Sequence, residues 1–277
     1  MPTTGVYWDV NGVSLNEVAW NIATLGGTRR SVPGWRGTDR KYAYRAGAAP
    51  RTMVADSRTI TLAMWCTGWR NDDTAPVNLA WRYEDNRKAL ERLFWRPDGG
   101  LIVLTKRWWE LDGSVSSATG TARCVSDMAP DMTGPHRGVF TVDLFMPDPW
   151  FYGPVRTHTI GRGATVTADN PGDDACTHMT VDLFGELHDP VLKNLTPTPD
   201  VSLSLVGADI PAGGHWTVDV DDSTAVSVGD GQNRISTVQH SGARAWMRMG
   251  RGDNDLQLTA SGAGSGYAVV SMSPAYF

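Results

Sequence analysis

From Arg58 to Gly68 the run RTITLAMWCTG places Ile60, Leu62, Met64 and Cys66 at every second position, with Thr59, Thr61, Ala63 and Trp65 between them. Successive side chains of an extended chain point to opposite faces, so this period describes a strand with one face in a core and the other toward solvent. The same period returns in RGVFTVDLFM (137–146) and, past Pro147, in VRTHTI (155–160), HMTVDLF (178–184), VSLSLV (201–206), HWTVDV (215–220), AWMRM (245–249), DLQLTA (255–260) and YAVVSM (267–272). LIVLTKRWW (101–109) and TARCVSDM (121–128), joined by a polar stretch with Leu111-Asp112-Gly113, read as a hairpin to which 137–146 returns. A chain built this way is mainly β, and its 30 glycines and 16 prolines, spread along the whole length, suit short strands joined by tight turns.

One segment breaks the rule. Over 77–95, VNLAWRYEDNRKALERLFW, residues Leu79, Tyr83, Arg87 with its alkyl stem, Leu90 and Phe94 lie along one helical face with Leu93 beside it. Asp72, Asp73 and Thr74 offer a start, Pro97-Asp98-Gly99-Gly100 a stop, and Glu84 and Lys88 stand at the favourable i,i+4 spacing. With 277 residues, 41% of them apolar, two medium cores are more natural than one. The texture changes between Pro147 and Pro154, which predicts a first domain over 1–154 carrying the helix and a second over 155–277 with the strand spacing of an antiparallel sandwich.

The chain offers little to chemistry. There is no GxxxxGK[ST] loop, and GAGSG (262–266) lies between two late strands with no helix after it, so a flexible hairpin is expected. Cys66, Cys124 and Cys176 are widely spaced without CxxC, which predicts free thiols in a reducing cytoplasm. Cys176 and His178 are two ligands where a zinc site needs four. The carboxylates of Asp173-Asp174 and Asp219-Val220-Asp221-Asp222 sit where turns are expected, and Arg251-Gly252-Asp253 reads as a turn before DLQLTA. No catalytic residue, cofactor or metal is assigned. The N-terminal MPTTGVYWDVNGVSL lacks the pattern of a signal peptide, and no apolar stretch approaches the ~20 residues of a membrane span.

Charge and tryptophan point to surfaces instead. Residues 155–277 carry 7 basic and 14 acidic side chains, an acidic balance that disfavours nucleic acid, whereas 28–58 hold Arg29, Arg30, Arg36, Arg40, Lys41, Arg45, Arg51 and Arg58 against Asp39 and Asp56. Arginine is enriched in protein interfaces, and no regular aromatic platform for bases accompanies this run, so it reads as a contact loop without specific nucleic-acid binding. Ten of the 12 tryptophans lie at or before residue 150, among them Trp35 in the basic loop and the Trp108-Trp109 pair. Neighbours on a strand face opposite ways, so one of that pair must meet another surface. Arg29, Arg30, Trp35, Arg36, Arg40, Trp108 and Trp109 are the candidate interface residues.

The order of these features resembles the distal tail proteins of siphophages, in particular those of actinobacterial phages, over the whole chain. The most telling residues are Phe140-Thr-Val-Asp-Leu-Phe-Met-Pro-Asp-Pro-Trp-Phe-Tyr-Gly153, a strand closing on a Pro-Asp-Pro-aromatic segment. Before it come Pro33-Gly34-Trp35-Arg36-Gly37, Thr59-Ile60-Thr61-Leu62 and the helix end Leu90-Glu-Arg-Leu-Phe94. After it come Asn170-Pro-Gly-Asp173, Leu183-Phe-Gly185, Asp189-Pro190 with Asn194, and Gly250-Arg-Gly-Asp-Asn-Asp-Leu256. The resemblance implies two β-sandwich domains, the first with one packed helix and the second galectin-like or jelly-roll-like. It also implies a structural virion protein at the distal end of the tail, assembled in the host cytoplasm as a homo-hexameric ring. Its partners would be the tail tube protein, the tail-tip hub, and further the tape measure and side fibres, with no membrane among them. The chain has no insertion long enough for the sugar-binding module that some relatives carry. An alternative is a cell-wall carbohydrate-binding module using Trp216 or Trp246; a glycan-degrading enzyme would need a carboxylate pair that the sequence does not bring together.

Overall fold

A computed structural model describes residues 6–22, 55–70, 77–110, 112–241 and 246–277, together with the backbone of residues 29–30, 35–36, 40–41, 48–49 and 54. The chain divides into two compact units, residues 1–151 with Phe277 and residues 152–276.

The first unit is organised by one pairing. Strands Arg58–Thr67 and Arg137–Met146 run antiparallel through ten consecutive rungs, from Arg58 opposite Met146 to Thr67 opposite Arg137. Ile60, Leu62, Met64 and Cys66 are fully buried as their alternation predicts, and three of them face Leu144, Val142 and Phe140 across the rungs. From this centre the sheet continues through Val115–Cys124, Ile102–Trp109, Tyr7–Val10 and Val13–Ser14 on one side and Trp20–Ile22 on the other. Val115–Cys124 gives eight residues to Ile102–Trp109 and only Arg123 and Cys124 to Arg137–Met146. At that short splice the sheet folds over, so the two layers of this unit are limbs of one curled sheet. Gly120 sits where the limbs approach: a side chain there would come within 2.7 Å of Met146 Cε and 2.9 Å of the Trp150 carbonyl. The hairpin expected at 101–128 forms, but its second strand is Val115–Cys124, beginning earlier than the 121–128 run suggests because the turn at Gly113 (φ +84°) is tight.

The helix spans Leu79–Phe94 and buries Tyr83, Asn86, Leu90 and Phe94 against the sheet. Asn86 is the one buried polar residue on this face, and its amide donates to the carbonyls of Thr67 (2.7 Å) and Trp69 (3.2 Å), tying the helix to the end of strand Arg58–Thr67. Glu84 pairs with Arg87 at 3.0 Å and not with Lys88, because Arg87 lies between Glu84 and Glu91 and bonds both. The expected start at Asp72-Asp73-Thr74 lies outside the described residues; the residue before the helix is Asn78, in the left-handed region at φ 55°. The helix packs this closely because of Gly68, whose missing side chain would strike the backbone of Leu79. Gly68→Ala is expected to destabilise the first unit by about 1–3 kcal/mol, the usual cost of forcing atoms into a packed contact. A lowered midpoint of the helical circular-dichroism transition checks it.

In the second unit two antiparallel sheets face each other across one core. The five-stranded sheet runs Arg156–Gly161, Tyr267–Met272, Met179–Phe184, His215–Asp219, Thr224–Ser227; the other runs Thr165–Asn170, Gly252–Ser261, Leu187–Asn194, Val201–Leu205, Val238–His240, with Asp209–Ile210 against Leu187–Asn194. Ile160, Val181, Val218 and Val270 of the first sheet meet Leu192, Leu203, Leu256 and Leu258 of the second. Two expectations change here. GAGSG is not a hairpin: it carries the chain from an interior strand of one sheet to an interior strand of the other, and the Arg162 guanidinium holds this corner by donating to the carbonyls of Ala260 (3.1 Å), Gly264 (3.1 Å) and Gly262. AWMRM makes only one bridge over its described residues, Met249 opposite Cys176, although Met247 and Met249 are buried as a strand's would be.

Asparagines hold that segment. Asn170, Asn194 and Asn254 are fully buried. Asn170 donates to the carbonyls of Asp174 (2.9 Å) and Met249 (3.1 Å), and Asn194 to those of Arg248 (2.9 Å) and to Asn254 Oδ1 (3.0 Å). Asn254 donates to Gly250 and Gly252 and accepts from Gly250 N–H, each at 2.8 Å. The amide of Asn254 thus uses both donors and takes two bonds on its oxygen, its full capacity. Removing it by Asn254→Ala strands several buried groups, each costing about 1–3 kcal/mol, so the second unit is expected to lose most of its margin; a large fall in its thermal midpoint is the check.

Candidate interface surfaces

Trp108 and Trp109 end the strand Ile102–Trp109 and, as period two requires, take opposite faces. Trp108 is on the core side and half-buried; its indole N–H donates to Glu110 at 2.8 Å, and the Lys106 ammonium sits 4.9 Å from its ring centre. Trp109 points outward and is 40% exposed. Opposite it stands Val115, and with Tyr7 and Arg107 these residues line a shallow recess of about 240 Å³. Arg107 is fixed there by an ion pair with Asp9. Val103, six residues away on the same face, is also exposed, so the outer face of this limb shows apolar side chains near both ends of the strand.

The backbone of the basic run is described only in short stretches, and these are strand-paired. Arg29 and Arg30 pair with Thr61 and Ile60, and Trp35 and Arg36 pair with Ala55 and Val54 on the same register. Arg40-Lys41 pairs with Ala48-Ala49 one residue out of step. At these described positions the backbone is strand-paired, and Arg29–Arg30 lies against the strand Arg58–Thr67. The side chains of Arg29, Arg30, Trp35, Arg36 and Arg40 lie outside the described residues.

A second surface was missed by the sequence reading. Trp81 and Trp95 are 67% and 65% exposed on the helix and just after it. They are about four turns apart at 3.6 residues per turn, so that spacing was the available signal. Beside Trp95 a groove of about 670 Å³ runs between the helix and residues 124–130, lined by Arg87, Lys88, Arg92, Cys124 and Met128 among others.

The features weighed for chemistry have structural partners. The Cys176 thiol donates to the Ser273 carbonyl at 3.0 Å, His178 is bonded to Asp221 at 2.9 Å, and Asp219 accepts from the N–H groups of Asp221 and Asp222, closing a turn. Gly252 of Arg-Gly-Asp takes φ +83°, the freedom its turn requires. Trp216 is only 7% exposed, with the Arg234 guanidinium 5.3 Å from its ring, and Trp246 is half-buried against the same core, so neither offers the open platform the carbohydrate alternative asked of it. Burial pushes the thiols of Cys66 and Cys176 up to about 12 and about 11. Both stay protonated near neutrality, whereas Cys124 is half-buried. A thiol reagent at pH 7 is expected to find one prompt site in the native protein, Cys124, and all three cysteines after unfolding; prompt loss of more than one native thiol contradicts this burial.

No family model matches the sequence, and no curated protein does. Among solved structures, the chain is similar to the Dit protein of phage SPP1, described as a paradigm of the hub adsorption apparatus in phages that infect Gram-positive bacteria. The two share 16% identity at a TM-score of 0.62, over 97% of this chain and 99% of that one. From one end to nearly the other, the chain has the fold of a siphophage distal tail protein.

Proposed function

We propose that the protein is a structural component of a phage virion: a distal tail ring subunit that joins the tail tube to the hub and fibres of the tail tip. The observation that carries this is the extent of the fold likeness, which takes in both units and leaves almost nothing of either chain unmatched. The ring is a homo-hexamer formed by residues 1–154, with 155–277 peripheral. A ring closes through head-to-tail contacts between unlike surfaces of one subunit. The first unit has such surfaces in the outer face at Trp109 and Val115 and in the helix with Trp81 and Trp95. The arginine-rich run, with Arg29, Arg30, Trp35, Arg36 and Arg40, adds a charged contact of the kind that sets register and partner choice. Trp108, held by Lys106 and Glu110, positions the end of its strand. The tail tube protein, the hub and the tape measure are the partners along the axis, and side fibres meet the second unit; the work is mechanical, not enzymatic.

Light scattering with negative-stain imaging tests this: rings with the mass of six 30.1 kDa chains are expected. A protein that stays monomeric at high concentration and adds no ring to purified tail tubes overturns it. Trp109→Asp places a charge on that outer face without entering the core. It is expected to weaken assembly by about tenfold or more, as loss of a tryptophan anchor does, with the thermal midpoint of the dissociated chain unchanged.

A further inference from the structure

The strand Val115–Cys124 ends in two unlike surfaces, about 30 Å apart along the strand at about 3.3 Å per residue. At its first end is the tip of the hairpin it makes with Ile102–Trp109. This turn is closed by its own bonds: Glu110 N–H donates to the Ser114 carbonyl (2.9 Å), Gly113 N–H to the Glu110 carbonyl (3.0 Å) and Ser114 N–H to Asp112 Oδ1 (2.8 Å). The hydroxyl and N–H of Ser114 hold the Asp112 carboxyl below its ordinary range, so the tip is charged near neutrality. Neither Glu110 nor Asp112 has a basic partner among the described residues; Glu110 accepts only from the Trp108 indole. At the base of the tip, Trp109 and Val115 stand opposite each other and both are exposed.

The other end of the strand opens on the groove of about 670 Å³ between the helix and residues 124–130. On its helix wall Arg87 is neutralised by Glu84 and Glu91, but Lys88 and Arg92, one helical turn apart and exposed, have no ionic partner among the described residues. The facing wall is Cys124, Met128, Ala129 and Pro130, with Asp127 as its single carboxylate, and Trp95 is exposed beside the groove. The groove therefore combines two unspent cations with apolar surface, and the tip combines two unspent carboxylates with apolar surface.

We infer that the hairpin tip of one subunit docks in this groove of a second copy, with Glu110 and Asp112 on Lys88 and Arg92 and with Trp109 and Val115 toward Trp95 and Met128. The inference rests on the proposed ring and names the contact that builds it. Because tip and groove sit at opposite ends of one strand, a chain cannot fill its own groove. Each docking leaves one tip and one groove open, so the contact is head-to-tail and does not stop at a dimer. A tip already fixed by three backbone bonds loses little freedom on docking, and opposite charges select the register. The acidic turn of the second unit is a poorer occupant, since Asp219 is spent on closing it and Asp221 on His178.

Ser114→Cys puts a thiol on the tip and keeps both carboxylates, and Cys124 already stands on the groove wall facing Lys88 and Arg92. A short bismaleimide added to the assembled full-length Ser114→Cys variant is expected to link chains into a ladder reaching six on a denaturing gel. The parent, and Ser114→Cys combined with Cys124→Ala, are expected to give nothing beyond a dimer. Arg92→Glu and Asp112→Arg are each expected to raise the concentration needed for assembly by about tenfold, as reversal of an interface charge does, with the thermal midpoint of the dissociated chain unchanged; the two together are expected to assemble as the parent does. Rings that form without the ladder, single reversals without effect, or a combined variant no better than either single one overturn the docking and leave the ring standing. A ladder running past six with no rings in the images overturns the ring and keeps the docking; neither ladder nor rings overturns both.

Discussion

Ten unbroken rungs between Arg58–Thr67 and Arg137–Met146 fix the first unit. A slip of one residue along either strand would turn its buried set outward and its threonines inward, so the register is held by the core itself. Everything else is placed from this pair. The helix rests on its Cys66 end, where Gly68 gives it room and Asn86 ties it down, and the curled limb with Tyr7–Val10 and Ile102–Trp109 hangs from two residues, Arg123 and Cys124. The surfaces proposed to close a ring lie on these dependent parts and are therefore as well positioned as the pair that carries them.

The second unit solves a different problem. Over its described residues, the segment that buries Met247 and Met249 makes a single bridge, Met249 to Cys176, and buried backbone groups without partners are costly. Three side-chain amides take the place of the missing strand. Asn170, Asn194 and Asn254 belong to the short stretches through which the sequence resembles distal tail proteins, which gives that resemblance a physical content: these residues are needed where the sandwich is irregular.

Much of this was legible in the sequence, because alternation is local. The run from Ile60 to Cys66, the strand Tyr267–Met272 and the opposed directions of Trp108 and Trp109 follow from period two alone. What was hidden depends on partners far along the chain. Nothing near Asn86 says that carbonyls of Thr67 and Trp69 await it, and a polar residue on the helix's inner face reads as surface. AWMRM alternates like a strand yet finds asparagines where a ladder was expected. GAGSG is locally a hairpin turn, and only the pairing of its flanking strands shows that it changes sheets. Phe184 stacks on both Tyr267 and His215, from strands distant in sequence, so no spacing rule reveals that contact.

That glycine corner has a mechanical meaning. Gly252–Ser261 and Tyr267–Met272 are interior strands of opposite layers, and the few residues joining them act as a short tether whose anchor points are both clamped on two sides. Layers joined through interior strands are hard to peel apart from an edge, since any opening soon pulls the strap taut, and Arg162 gathers carbonyls of the strap and of the strand before it into one knot. A load applied to the rim of this sandwich is thus carried inward to its best-packed strands, and the unit yields as a whole rather than layer by layer.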